Sequence, residues 1–136
     1  MHILPCERLQ NLIILIVCVL ASVCYAGTYS GVSGTEADPY LIASVADWQE
    51  LVNSPNDCNE HFILTTPLNF QGSNLTPISN FTGVFDGQGF IVRNAVIHEP
   101  NSTFVGLFLG VGEEGRIDEL GLEDVNVSGY SYVGGI

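Results

Sequence analysis

From residue 40 onward the chain sets short apolar runs of two to four side chains between polar, glycine-rich breaks, and the runs repeat. Val92, Ala95 and Ile97 recur as Ile117, Leu120 and Leu122, each 25 positions later. Phe104-Val105-Gly106-Leu107-Phe108 recurs as Tyr132-Val133-Gly134-Gly135-Ile136, each 28 positions later. The difference of three residues falls between the two blocks, where a surface turn would absorb it. A run this short cannot bury a core by itself, but matched runs one repeat apart can stack in register and bury a continuous column. The pattern therefore predicts an all-β solenoid of stacked parallel strands.

The chain ahead of the repeats predicts a different start. Tyr40-Leu41-Ile42 reads as a first strand, after a flexible lead-in over 27–38. Val45, Trp48 and Val52 are spaced three and four apart, which predicts a short helix. Ser44 caps it, Asp47 reciprocates, and Asn53-Ser54-Pro55 stops it. We expect this capping helix to lay Trp48 over the open first end of the stack. Residues 62–70 read as a strand interrupted by Pro67. Leu68 and Phe70 stand 27 positions before Ala95 and Ile97, which suggests a first, degenerate coil within 39–80 and regular repeats over 81–136. Of the 15 glycines, 11 follow residue 82, as corners needing positive φ would require. The second copy stops at Ile136 with no polar cap after it. The expectation is an N-terminal portion of a longer protein, truncated at its C-terminus, whose open last coil invites self-association.

The motifs FTGVFDGQG (81–89), VGLF (105–108), GRIDELGL (115–122) and VGGI (133–136) resemble the GLUG-motif repeat proteins, exported adhesin-like proteins of bacteria and archaea. The resemblance covers roughly 31–136 and includes the opening SGTEADPYLIA. It implies a right-handed parallel β-helix at or outside the cell surface. Two departures stand out: Leu109 occupies the place of a glycine, and the second motif ends at Ile136 before completing.

Composition changes this picture at the N-terminus. Residues 12–26 are largely apolar and uncharged, follow Arg8 and end in Ala26. That run is shorter than the roughly 20 residues needed to span a bilayer and reads as a signal peptide over 1–26. Its removal takes Cys6, Cys18 and Cys24 with it and leaves Cys58 alone, which excludes an internal disulfide scaffold. Cys58 itself reads as an ordinary buried thiol. The formal net charge is −12, and it survives the cut because Glu7 and Arg8 cancel. With no lysine, the chain is a poor fit to nucleic acid or to an anionic membrane, and no stable membrane insertion is expected after cleavage.

Candidate chemistry is sparse. Gly110-Val111-Gly112-Glu113-Glu114-Gly115 matches the dinucleotide fingerprint, but no strand-turn-helix unit surrounds it and its two carboxylates would repel a pyrophosphate. Glu113, Glu114, Asp118, Glu119, Glu123 and Asp124 read as a solvated acidic face, with weak Ca2+ binding as the sharper alternative. Asp86 is the carboxylate of most interest; it reads as a turn former beside Gly87. The 25-residue offset aligns Arg93 with Asp118 as a surface ion pair. His61 and His98 lack ligand spacing, and the sequons at Asn74, Asn80, Asn101 and Asn126 matter only where glycosylation occurs. We assign no catalytic, cofactor-binding or metal residue.

These observations favour a non-enzymatic, secreted or surface-exposed structural or adhesive module that presents a binding or spacer surface. Its partners would be a polysaccharide or a surface glycoprotein. The alternatives are the N-terminal part of a polysaccharide-degrading β-helix enzyme, or an accessory domain of a larger secreted protease. Fold alone does not separate them.

Overall fold

The computed structural model describes residues 29–30 and 33–136. The leader read at 1–26 lies outside them, and so do the three cysteines it carries. Among the described residues nine short strands form: β1 (Tyr40–Ile42), β2 (His61–Leu64), β3 (Leu68–Asn69), β4 (Val84–Asp86), β5 (Ile91–Arg93), β6 (Val96–Glu99), β7 (Arg116–Asp118), β8 (Gly121–Glu123) and β9 (Asn126–Gly129). One helix, α1 (Val45–Asn53), and a 3-10 turn (Pro55–Asp57) connect β1 to β2. All strand pairs are parallel, in three small sheets ordered β1-β2-β4-β7, β3-β5-β8 and β6-β9.

Each strand turns one or two side chains inward, because successive residues point to opposite faces. In the four-stranded sheet these are Tyr40, Phe62, Phe85 and Ile117, paired in register from strand to strand. Phe62 lies 5.5 Å from Tyr40 and 6.4 Å from Phe85, ring centre to ring centre. Leu68, Val92 and Leu122 make a second row, and Ile97 with Val127 a third. Full burial of each large side chain contributes roughly 1.5–3 kcal/mol before chain entropy is set against it.

The helix forms where its capping residues specify. The Asp47 amide donates to Ser44 Oγ at 3.2 Å, and the Asp47 carboxylate accepts from the Ser44 hydroxyl at 2.8 Å and the Ala43 amide at 2.9 Å. Its buried residues are Trp48 and Leu51, with Val45 and Val52 packed beside them. Trp48 is fully enclosed. Its ring lies 6.4 Å from Phe70, 5.9 Å from Phe85 and 5.9 Å from Phe108, and its Nε1 donates to the Thr76 carbonyl at 3.2 Å.

The expectation of an all-β, right-handed parallel β-helix with a capping helix is therefore corrected. What forms is three separate small parallel sheets with a helix in the β1-to-β2 crossover. That helix delivers Trp48 to rings as far along the chain as Phe108. No fixed period governs the stacking: partners lie 22 positions apart from Tyr40 to Phe62, 23 from Phe62 to Phe85, and 32 from Phe85 to Ile117. The 25-residue alignment is corrected with it. Val92 pairs with Leu122 and Ile97 with Val127, both 30 apart, while Ile117 belongs under Phe85. Leu68 likewise pairs with Val92, 24 positions on. The 28-residue offset does describe a real pairing, since Val105 bridges Val133 in parallel and the Phe104 and Tyr132 rings stack at 5.3 Å.

The corners also differ from the glycine reading. Positive φ occurs at Gly34, Gly72 and Gly89, but also at Gln71, Asn80, Gln88, Asn94, Glu119, Asp124 and Tyr132. Several of the glycines serve close approach instead. A Cβ on Gly83 would lie 2.0 Å from the Glu60 carbonyl oxygen. The described part of the lead-in is tied down as well: Tyr29 is buried against Tyr40 and Phe62, and the Leu41 amide donates to the Ser30 carbonyl at 2.6 Å.

Candidate functional site

The outward face of the four-stranded sheet carries two rows of side chains in register. One runs His61, Val84, Arg116, and the other Ile63, Asp86, Asp118. Parallel pairing sets neighbours in a row about 4.8 Å apart from strand to strand. The turn from Thr35 to Asp38, closed by two reciprocal backbone hydrogen bonds of 3.2 Å, stands beside them. Together these elements line an open groove of about 320 Å³ whose walls include Glu36, Pro39, His61, Ile63, Val84, Asp86 and Arg116.

The charged groups of this groove are largely engaged locally. Asp86 accepts from the Gln88 amide at 2.9 Å through Oδ1 and from the Gln88 side-chain amide through Oδ2. It thus holds the turn that places Gln88 at φ 52. Arg116 Nε donates to Asp118 Oδ2 within the same strand. The expected pairing of Arg93 with Asp118 is corrected: Arg93 stands beside Glu123, in a different sheet. What the groove offers is an apolar floor of Ile63 and Val84 between an imidazole, a guanidinium and carboxylates. Such a surface carries groups that can donate and accept hydrogen bonds above apolar side chains.

The other candidates scatter. His98 Nδ1 lies 2.8 Å from Ser128 Oγ on the paired strand, remote from His61. Gly112 and Gly115 close a backbone turn of 2.9 Å that leads directly into β7, so the fingerprint match opens a strand and not a helix. Among the described residues no group of three or more His, Cys, Asp or Glu is arranged to hold a metal ion. Asn74, Asn80, Asn101 and Asn126 are all exposed. Cys58 is free and buried, and its thiol is pushed up by that burial and by the neighbouring Asp57. Tyr29 is shifted further in the same direction. Burial dominates, Ser54 offsets part of it, and Asp57, Glu50 and Cys58 add to it. Among the described residues the buried Tyr29 hydroxyl has no hydrogen-bond partner of ordinary geometry.

Glu36, Ile63 and Val84 were not singled out by sequence reasoning, nor was the Asp86-Asp118 adjacency. A signal for the adjacency existed: Gly83-Val84-Phe85-Asp86 recurs as Gly115-Arg116-Ile117-Asp118, 32 positions later.

Among the described residues no helix is long and apolar enough to cross a membrane. No family model matches the chain, and no solved structure matches it. The chain is similar to Halomucin of Haloquadratum walsbyi (strain DSM 16790 / HBSQ001), with 36% identity over 121 residues. The match covers 79% of this chain and 1% of Halomucin, so the chain spans about a hundredth of the length of that relative.

Proposed function

We propose that this chain is a non-enzymatic, exported structural or adhesive module that meets hydroxyl-rich ligands along the outer face of its four-stranded sheet. The observation that carries this reading is the 36% identity to Halomucin over most of the chain, because the name describes a mucin and so a protein outside the cell. That likeness supports a secreted or cell-surface location. The apolar leader in the sequence supports it independently, and so does the GLUG resemblance of residues 81–136. The groove contributes the chemistry: Asp86 is occupied in holding a turn, Arg116 is steadied by Asp118 next to the groove, and His61 and Arg116 present donors above apolar side chains. A polysaccharide or a surface glycoprotein fits such a face.

The test is a panel of polysaccharides and glycoproteins assayed for both binding and hydrolysis with the whole chain. Binding without turnover is expected, weakened at least tenfold in a His61→Ala/Arg116→Ala double variant. Release of reducing sugar by the wild type, abolished by Asp86→Asn, would overturn the non-enzymatic reading.

A further inference from the structure

The asparagines of this chain include two kinds. Asn69 and Asn94 hold structure: Asn94 Nδ2 donates to Asn69 Oδ1 at 2.9 Å, and the same oxygen accepts from the Gln71 amide at 3.0 Å. Asn74, Asn80 and Asn101 are exposed, and among the described residues no hydrogen bond engages their side-chain amides. These three each head an N-x-Thr triplet, whereas Asn69 and Asn94 head none. In the whole sequence four of the ten asparagines head an N-x-[ST] triplet. Ser and Thr fill 17 of the 136 positions, so chance alone gives about one.

The fold decides how each triplet is presented. Successive residues of extended chain point to opposite faces. Leu75 is 3% exposed, so the core takes the middle residue of the first triplet and turns Asn74 and Thr76 outward together. Asn80 sits at a corner with φ 54, and the full burial of Phe81 leaves Asn80 and Thr82 exposed on either side of it. Asn101 follows Pro100 in a turn closed by the Ser102 amide on the Glu99 carbonyl at 3.0 Å, and Thr103 is exposed beside it. Each triplet already has the next pass of the chain against it: Val96 pairs with Asn74, Val111 with Phe81, and the Tyr130 amide donates to the Ser102 carbonyl. The fourth triplet, at Asn126, differs. Its hydroxyl is taken, since Ser128 Oγ donates to the Ile97 carbonyl at 3.3 Å and lies 2.8 Å from His98 Nδ1.

We propose that Asn74, Asn80 and Asn101 are acceptor sites for N-linked glycans. The modification requires an asparagine with a hydroxyl two residues on, and at these three places both groups are exposed. The donor is an oligosaccharide joined through its anomeric carbon to a lipid phosphate. Asn Nδ2 forms the bond to that carbon as the bond from carbon to phosphate oxygen breaks. The phosphate leaves with the electron pair, and the amide proton passes to a carboxylate of the transferase. Among the described residues no strand of the sheet that carries the groove contains a sequon, so the sugars leave its outer face open. The proposal rests on the exported reading above, because this transfer takes place outside the cytoplasm.

The test uses the chain purified from the cells that make it, located by fractionation and mapped by mass spectrometry after cleavage at acidic and at aromatic residues. Sugar is expected on Asn74, Asn80 and Asn101 in most molecules, and on neither Asn69 nor Asn94. Thr76→Val, expressed in the same cells, should lose at least tenfold in occupancy at Asn74 and leave Asn80 and Asn101 as they were, with unchanged circular dichroism. Thr103→Val should do the same for Asn101 alone. An exported chain whose mass is that of its amino acids only would overturn the proposal and leave the exported reading standing. Retention inside the cell with residues 1–26 attached would overturn both. Sugar found on serine or threonine in place of these asparagines, or sugar on Asn74 that survives Thr76→Val, would also overturn N-linked transfer.

Discussion

Gly83 shows how much a single hydrogen can decide in this molecule. Its amide donates to Cys58 at 2.8 Å, and a Cβ there would lie 2.0 Å from the Glu60 oxygen. Gly83→Ala must push two backbones apart, at about 1–3 kcal/mol or more. Gly110→Ala meets nothing within 4 Å and should stay within about 0.5 kcal/mol of wild type. Urea denaturation of the two variants side by side checks the contrast. A second prediction at this scale concerns alkali. Tyr29 and Cys58 both hold their protons more tightly when folded than at their ordinary values of 10.0 and 9.0. Below those values both groups are neutral in either state, so their contribution is complete. As pH rises past them the unfolded chain ionises first and stability falls, by at most about 1.4 kcal/mol per pH unit for each group. Melting temperatures between pH 8 and 11.5 should drop, and Tyr29→Phe should flatten the decline.

Among the elements, α1 depends most visibly on its first turn. Ser44→Ala removes the acceptor for the Asp47 amide and frees the carboxylate that bonds back, at about 0.5–2 kcal/mol. Denaturant titration measures it. The helix itself was legible in the sequence because cap, spacing and stop signals agree at Ser44, Trp48 and Pro55. One parallel pairing, that of Val105 with Val133, was legible as well. Register was not, for a physical reason: the same local shape recurs around the chain as well as along it. Val92, Ala95 and Ile97 bracket the corner from β5 to β6, whereas Ile117, Leu120 and Leu122 bracket the corner from β7 to β8. Both need apolar residues at identical spacing, so the 25-residue match joined two different corners. With the register displaced, Asp118 was set beside Arg93 and its place next to Asp86 was hidden. The groove shared this fate, because Glu36 reaches it from a turn with no periodicity of its own.

For the whole molecule, charge is the dominant long-range term. At −12 with no lysine, the folded chain concentrates like charges that the unfolded chain spreads out. The field reaches about 10 Å at 0.1 M salt and about 3 Å at 1 M. Melting temperature should therefore climb steeply between these concentrations with sodium chloride. A Glu113→Gln/Glu114→Gln/Glu123→Gln variant should start higher and climb less. An equal slope in the two proteins would assign the salt effect to something other than repulsion among these carboxylates.

The enclosure of Trp48 has a practical outcome. It is the only tryptophan in the sequence, and its neighbours Phe70, Phe85 and Phe108 come from widely separated parts of the chain. Its indole leaves water only once those parts have assembled. Intrinsic emission excited at the red edge of the absorption band thus gives a label-free optical clock for the closing step, readable in any salt and without altering a residue.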